Sequence, residues 1–222
     1  MSKKDTKQII TDEMQLADRA VEIDTSTQNK EMREIISALK ATIKANNISA
    51  LSAPAIGYNR RIFCVSFSDS EIKTFINPII IPGGELTISK ETCTSIPGKT
   101  FIIPRNTEVS VMYQDPLGRA QSRKLKGVAA SVFQHEIHHL DGLLISDIGL
   151  EIDEDFENAS LEEQEEVIKA YLESLDLTSK ALQEEIQNNE ELKRLSDGIE
   201  FITKVQTGEV ELTGDNPVEK AN

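Results

Sequence analysis

The sequence has no tryptophan and only two cysteines, Cys64 and Cys93, among its 222 residues. Two cysteines are too few for a disulfide framework in a chain of this length, so at least one of them is free for other chemistry. No run of about eighteen apolar residues occurs, and the polar N-terminus lacks the apolar core of a signal peptide. These absences predict a cytoplasmic protein that does not span a membrane.

Basic residues are scarce in the last third of the chain. From residue 147 onward, 22 Asp and Glu stand against 6 Lys and Arg, an acidic excess that is larger than the net charge of −14 of the whole chain. The first 146 residues are therefore close to neutral. The acidity disfavours nucleic acid or an anionic membrane as a partner of the C-terminal part.

Hydrophobic spacing predicts two helices that flank a β-rich middle. Apolar residues recur at helical spacing over residues 29–46, and a second helix is expected over 128–140, with Gly142 ending it. Between them, short alternating runs predict antiparallel strands. Breaks are expected at the turn-forming sequences Ser68–Glu71, Pro82–Gly84 and Pro97–Gly98. The fold class is therefore predicted to be α+β, with small antiparallel sheets around a central helix.

The acidic C-terminal part predicts a helical extension. Ser160 and Glu163 have the spacing of a capping box, which predicts a helix from there to about Leu175. A second helix is expected over residues 179–205, followed by a loose tail. We interpret residues 1–147 as the main domain, 148–207 as the acidic extension and 208–222 as a flexible tail.

The strongest chemical signal is the sequence Gln134–Gly142, which contains all three histidines of the chain. On a helix, His135 and His139 lie one turn apart on the same face, so both imidazoles can reach one ion. Glu136 then lies beside the ion, where it can accept a proton from water. His138 points away from His139, and we interpret it as a surface or salt-bridging residue.

A catalytic site of this type needs a third protein ligand and one open position. A zincin protease would supply a downstream acidic or histidine side chain, and Glu154, Glu157 and Glu163 are available. The alternative is Cys93, which lies in polar sequence next to a turn, where a merely structural cysteine is unexpected. Cys64, in contrast, is flanked by apolar residues and is interpreted as a small buried hydrophobe.

Two segments together resemble the peptide deformylase family. Glu91–Ser95 resembles the family's Glu-Gly-Cys-Leu-Ser motif, and Gln134–Gly142 resembles its Gln-His-Glu-x-x-His-Leu-x-Gly motif, in the same order. Similar family strings occur at Phe75–Pro78, Ser95–Gly98 and Gly142–Asp147. The resemblance covers residues 8 to 147 and leaves out the acidic helices.

The resemblance implies an enzyme of protein biosynthesis that removes the N-terminal formyl group from nascent formyl-methionyl peptides. It implies one divalent ion bound by Cys93, His135 and His139, with Fe²⁺ as the native ion and Zn²⁺, Ni²⁺ or Co²⁺ able to replace it. Glu136 would be the general acid and base, and the backbone N–H of Thr94 would bind the oxyanion. Hydrolysis of a linear amide is also what such an ion and base are suited to catalyse.

The family's first motif, Gly-x-Gly-x-Ala-Ala-x-Gln, is degraded here. It aligns with Ile48–Ala55, so both glycines and the glutamine are replaced. The glutamine amide helps to bind the oxyanion in the family, and Ala55 offers no donor. Loss of one such donor costs about 10²–10³ in rate elsewhere. Ser52, Thr92 and Thr94 bring hydroxyl groups into this neighbourhood.

Three functions remain open from the sequence. The first is a divergent peptide deformylase. The second is a binding or structural module on the same fold that keeps its metal, catalyses little and docks a protein partner through the acidic helices. The third is another metal-dependent amidase or a zincin-like protease, which would keep its metal without Cys93.

Overall fold

The structure is a computed structural model that describes residues 6–25, 29–68 and 71–188, with side chains described as far as Leu175. The chain divides into two compact units, with the division after Asn158. The predicted 1–147 and 148–207 domains stay a prediction, and the predicted tail over 208–222 lies outside the described residues. In the described part, no helix is long and apolar enough to cross a membrane.

Two helices precede the sheet. Helix α1 comprises Glu13–Leu16, and α2 comprises Lys30–Asn46. The Asn29 side chain caps α2 by accepting the N–H of Glu31 at 2.8 Å, and Asn47 ends it in the left-handed conformation. One face of α2 is buried, as its apolar spacing predicts.

Six antiparallel strands form one sheet in the described part of the chain. The first five strands are neighbours in chain order, and the sixth pairs with the fourth. The strands are β1 (Ala50–Ser52), β2 (Ile62–Ser68), β3 (Glu71–Cys93), β4 (Ile96–Gln114), β5 (Ala120–Lys126) and β6 (Leu150–Ile152). A single 3-10 turn over Pro54–Ile56 links β1 to β2.

The predicted breaks at Pro82–Gly84 and Pro97–Gly98 are wrong as strand ends. Both sequences lie inside long strands, and the register between β3 and β4 shifts between Gly83 and Leu86. A β-bulge absorbs the irregular backbone at the first of these places and lets the strand bend instead of stopping. The predicted turn at Ser68–Glu71 includes two residues outside the described part.

The central helix is α3, Val128–Leu140, which matches the predicted limits. Gly142 follows it with a φ of 75°, a left-handed conformation that suits glycine at a helix end. Phe133 of α3 meets the rings of Phe63 and Phe75 with centroid separations of 5.1 and 4.7 Å. This aromatic cluster anchors the helix to the sheet, so the predicted α+β class with a central helix is confirmed.

Polar contacts also hold the C-terminal end of α3. The half-buried carboxylate of Asp141 accepts the guanidinium of Arg61 at 2.6 Å, and the same Arg61 nitrogen donates to the carbonyl of Leu140 at 3.2 Å. Arg61 is 9% exposed and lies directly before β2. The end of α3 is therefore tied to the sheet by buried polar contacts as well as by packing.

The first unit ends with two short helices, α4 (Ile145–Ile148) and α5 (Glu154–Asn158), on either side of β6. The second unit contains α6, Leu161–Asn188. The capping box at its start is confirmed, since Glu163 accepts from Ser160 N–H at 2.8 Å and Ser160 Oγ accepts from Glu163 N–H at 3.3 Å. The predicted break near residue 176 is wrong, because no glycine or proline interrupts the helix there. The rest of the predicted second helix lies outside the described residues.

Candidate metal centre

Helix α3 carries three of the four side chains that the sequence assigns to the metal centre, and Cys93 is the fourth. Its apolar residues Phe133, Ile137 and Leu140 pack into the core, which fixes the rotation of the helix about its axis. The Gln134 side chain also ties the helix to β4, by accepting from Asn106 N–H at 3.0 Å and donating to the Asn106 carbonyl at 2.9 Å. His135, Glu136 and His139 are held on the remaining face by this anchoring.

Cys93 reaches the same place from the sheet. It is the last residue of β3, and the two residues Thr94 and Ser95 turn the chain into β4. Its side chain is buried at 5% exposure, and Sγ lies 3.2 Å from Nε2 of His139. The tight hairpin turn therefore aims the thiol at the helix.

The ligand atoms of Cys93, His135 and His139 all lie within 4.8 Å of one another. A tetrahedral ion with one thiolate and two imidazole ligands needs such atoms about 3.5 Å apart, which the 3.2 Å contact approaches. The Nδ1 of His135 is engaged by Glu91 at 3.1 Å, which leaves its Nε2 for an ion. The residues present therefore fit a single divalent ion.

The acidic alternatives for a third ligand do not join this cluster. Among the described residues, the one group of three or more potential ligands is the Cys93, His135 and His139 set. Glu157 instead forms an ion pair with Lys90, and Glu163 caps α6. The arrangement disfavours a zincin-type centre.

A buried network supports His135 from behind. Arg105 is 1% exposed and donates to Glu91 through Nε at 2.8 Å and Nη2 at 2.7 Å, and Glu91 in turn holds His135. Burial raises the pKa of the Glu91 carboxyl, but the contacts with Arg105 and His135 outweigh it and lower that pKa to about 2. Such a carboxylate fixes the orientation of a ligand imidazole and makes it a stronger electron-pair donor to a metal ion.

Arg105 was not found by reasoning from the sequence. It follows the apolar residues Phe101–Ile103 and has no motif of its own in the sequence. Its position depends on strand pairing, since it lies opposite Thr87 in the β3–β4 register. The one sequence signal for this network is Glu91, at the start of the cysteine motif.

His138 is not a surface or salt-bridging residue, as the sequence had suggested. It is half-buried, and its Nδ1 accepts a hydrogen bond from Nη1 of Arg105 at 3.0 Å. Burial and the nearby charges of Arg105 and His135 lower the pKa of His138 to about 4. A neutral imidazole therefore extends the network as a hydrogen-bond acceptor.

Glu136 is buried beside the two histidines at 5% exposure. Burial raises the pKa of its carboxyl to about 7, although the charge of His135 and the hydroxyl of Ser52 lower it. A group that titrates near neutral pH is suited to accept and return a proton. Of the residues proposed from the sequence, this one has the environment of an acid and base catalyst.

A cleft of about 790 Å³ opens in front of these residues. His135, Glu136 and Thr94 of the hairpin turn line it. The remaining lining residues are Asn47, Ile48, Ser49, Ala50, Thr87, Ile88, Ser89, Lys90, Glu91, Thr92, Gly127, Val128, Ser131 and Val132. The cleft is large enough for a short peptide segment.

The degraded first motif forms one wall of this cleft only in part. Ile48 and Ala50 line it, so their side chains occupy space that glycine would leave open. Ala55 is 2% exposed and packs in the hydrophobic core with residues of α2. Ser52 is fully buried.

A sequence profile of polypeptide deformylases matches residues 6–152, well over half of the chain. The chain belongs to the polypeptide deformylase family. Members of this family are metallohydrolases that use one divalent ion and remove the N-terminal formyl group from peptides. The family membership that the cysteine and histidine motifs predict is confirmed.

Similar deformylases come from several bacteria. The peptide deformylase of Dictyoglomus turgidum is 34% identical over 123 residues, which are 55% of this chain and 80% of that protein. The crystal structure of the Thermotoga maritima peptide deformylase is 29% identical, with a TM-score of 0.59, over 64% of this chain and 97% of that one. A peptide deformylase from Synechococcus elongatus in complex with actinonin has the same identity and TM-score and is covered to 78%.

Proposed function

We propose that this chain hydrolyses the formyl group from formyl-methionyl peptides at one divalent ion held by Cys93, His135 and His139. The observation that carries the proposal is the convergence of these three ligand atoms, within 4.8 Å, beside the buried carboxyl of Glu136. One thiolate, two imidazoles and an adjacent base form a set that suits hydrolysis of an amide.

The ion would supply a Lewis acid that lowers the pKa of water and polarises the formyl carbonyl. Fe²⁺ is proposed as the native ion because of the family resemblance, with Zn²⁺, Ni²⁺ or Co²⁺ as substitutes. Glu91 holds His135 through Nδ1, so that Nε2 keeps its direction toward the ion. Arg105 keeps Glu91 charged and in place.

Glu136 would move the proton. Its carboxylate accepts a proton from the attacking water and then returns it to the nitrogen of the leaving peptide amine. The raised pKa, near 7, lets the same group act in both directions at neutral pH. General acid and base catalysis of this kind contributes about 10²–10⁴ in rate.

Thr94 would bind the developing oxyanion through its backbone N–H. It lines the cleft in the turn directly after Cys93, so a donor there is close to the ion site. Ala55 contributes no donor of the kind that the family glutamine offers. One donor fewer corresponds to a loss of about 10²–10³ in rate, so a slow enzyme is expected.

The partners follow from this reaction. Because formyl-methionyl peptides emerge from ribosomes, we propose that the chain acts on nascent peptides in the cytoplasm, without binding nucleic acid or membrane. The acidic α6 carries exposed apolar side chains, among them Val167 at 44% and Leu172 at 38% exposure, which suit contact with a protein partner.

A second candidate function is a metal-containing binding module. It is favoured by Ala55 and by the two side chains that narrow the cleft, Ile48 and Ala50. The buried Glu136 argues against it, because a structural metal site has no use for a base that costs free energy to bury.

The test is formate release from a short formyl-methionyl peptide by protein loaded anaerobically with Fe²⁺ or Ni²⁺. Glu136→Ala with matched metal content is the control, and we expect its rate to be lower by about 10²–10⁴. Formate release that depends on Glu136 supports the deformylase. No turnover with metal fully bound would contradict it and favour the binding module.

A further inference from the structure

Ser52 is a buried hydroxyl without a partner. Its side chain is 0% exposed, and no hydrogen-bond partner for Oγ lies within reach in the described part of the structure. Buried side-chain polar atoms are nearly always hydrogen bonded, so each exception requires an explanation. The family motif has alanine at this position, so the hydroxyl is a feature of this chain.

The strand geometry directs Ser52 toward the metal centre. Successive side chains of a strand point to opposite faces. In β1, Leu51 packs into the core formed with α2, whereas Ala50 packs on the core around α3 and lines the cleft. Ser52 shares the face of Ala50, and it therefore faces α3 from a position deeper than the cleft wall.

A complementary group lies on α3. The Oε2 atom of Glu136 is buried, and it too has no hydrogen-bond partner among the described residues. Strand β1 packs directly against α3, and Ala50 of β1 lines the same cleft as Glu136. Two buried polar groups without partners in the described part of the chain thus lie on packed elements, one a donor and the other an acceptor.

We propose that Ser52 is a positioning residue that donates a hydrogen bond from Oγ to Oε2 of Glu136. The bond holds one carboxylate oxygen and leaves the other for water. This role rests on the proposed function, in which Glu136 moves the proton. Catalytic hydrogen bonds often form fully only in the complex with substrate, so we expect this bond to tighten when a peptide binds.

The bond matters because the orientation of the Glu136 carboxylate would otherwise be poorly fixed. His135 and His139 would be fixed by an ion, but a glutamate that is not a ligand can rotate about its terminal bond. Misplacing a reacting group by about 1 Å can cost about 100-fold in rate. A single donor from the strand opposite removes that freedom.

The first experiment uses metal-free full-length protein and reads Glu136 directly. The infrared band of its carboxyl group is identified as the difference between the wild-type and Glu136→Gln spectra. We expect Ser52→Ala to shift this band, because a hydrogen bond to the carboxyl is lost. Thr42→Val, which deletes another fully buried hydroxyl, in α2, is the matched control and should leave the band in place.

The second readout is kinetic, with metal-loaded protein and a formyl-methionyl peptide. Ser52→Ala should lower kcat about 10- to 100-fold with KM unchanged, and Thr42→Val should change neither. If Ser52→Ala does not fold, Ser52→Cys replaces it in the infrared measurement, since a thiol of similar size is a weak donor and should shift the band partly.

The outcomes separate this inference from the proposed function. Wild-type protein that releases no formate defeats the deformylase assignment, and the infrared band still decides whether Ser52 bonds to Glu136. Wild-type activity with an unshifted band in Ser52→Ala overturns the role of Ser52 alone. A shifted band with unchanged kcat also overturns it, because the contact would then be structural.

Discussion

The two walls of the cleft differ in how their polar groups are satisfied. On one wall, Glu91 and His135 are joined by a hydrogen bond, and Arg105 and His138 behind them continue an unbroken, mostly buried series. On the other wall, Ile48 and Ala50 offer only apolar contact, and the hydroxyl of Ser52 behind them is unpaired.

This difference indicates which wall fixes the chemistry. A network in which every member holds its neighbour fails as a unit, and substitutions there should have large effects on metal binding and stability. A wall held by packing alone can change side chains at small cost. The wall with His135 and Glu91 therefore determines the reaction. The wall with Ile48 and Ala50, called the degraded wall, adjusts the rate and the fit of the substrate.

The largest effect should come from the ligand contributed by the sheet. Cys93→Ala removes the thiolate, and we expect metal affinity to fall by more than about 100-fold, with loss of formate release. Cys64→Ala is the control, since Cys64 packs with the core around α2 and is not in the ligand cluster. Metal content measured by plasma emission, with both variants at equal concentration, checks this. A Cys93→Ala protein that keeps its ion would refute the ligand assignment.

The network behind His135 should be next in importance. Arg105→Met leaves the carboxylate of Glu91 buried without its cation, and removing one partner of a buried pair costs about 3–5 kcal/mol of folding free energy. Urea unfolding measures it. The control is Arg119→Met, which breaks the ion pair of Arg119, 66% exposed, with Asp115 and should change stability far less.

If the two arginine variants lose equal stability, the contrast between a buried network and a surface pair does not hold. The same Arg105→Met protein should also bind metal about 10- to 100-fold more weakly, because the support of a ligand imidazole is lost. Unchanged metal affinity would separate the network from the metal site.

Substitutions in the degraded wall should have smaller effects on the rate. Ala50→Gly removes a methyl group from the cleft, and we expect kcat/KM for formyl-methionyl peptides to rise by about tenfold at most. Glycine in a strand costs about 0.5–1 kcal/mol of stability, so the gain comes with a small loss. Ala120→Gly at the start of β5, outside the cleft, should show the stability loss without the kinetic gain. A fall in kcat/KM would show that Ala50 contacts substrate favourably.

The smallest effect concerns Cys64, behind the degraded wall. Burial raises the pKa of this thiol to about 11. At pH 8, below that pKa, only about 10⁻³ of it is the reactive thiolate, so we expect iodoacetamide to leave Cys64 unmodified in the native protein. Mass spectrometry after alkylation measures this, with urea-unfolded protein as the control. Rapid native labelling of Cys64 would show that the core there opens readily.

The sequence predicted those parts of the site that depend on local spacing. Helix α3 and its end at Gly142 followed from periodicity and from a glycine at the terminus. His135 and His139 were placed together because residues four positions apart share a side of a helix, and Glu136 lies three positions before His139. Cys93 was a candidate from its polar sequence next to a turn, and the pairing of two family motifs favoured it over the acidic alternatives.

The parts that depend on strand register could not be predicted. Arg105 meets Glu91 across the β3–β4 hairpin, and His138 meets Arg105 across 33 residues. The inward direction of Ser52 depends on the phase of β1, and a shift of one residue would turn it to the other face. The predicted break in α6 had a different origin, since neither glycine nor proline occurs near residue 176 to end the helix there.

The central claim is that one sulfur and two imidazoles hold the ion. X-ray absorption spectroscopy of the Fe²⁺- or Zn²⁺-loaded full-length protein tests it most directly, because it counts sulfur neighbours of the metal. We expect one sulfur ligand together with two imidazole nitrogens, and loss of the sulfur signal in Cys93→Ser. A wild-type spectrum with only nitrogen and oxygen neighbours would contradict the claim and return the chain to a zincin-like centre.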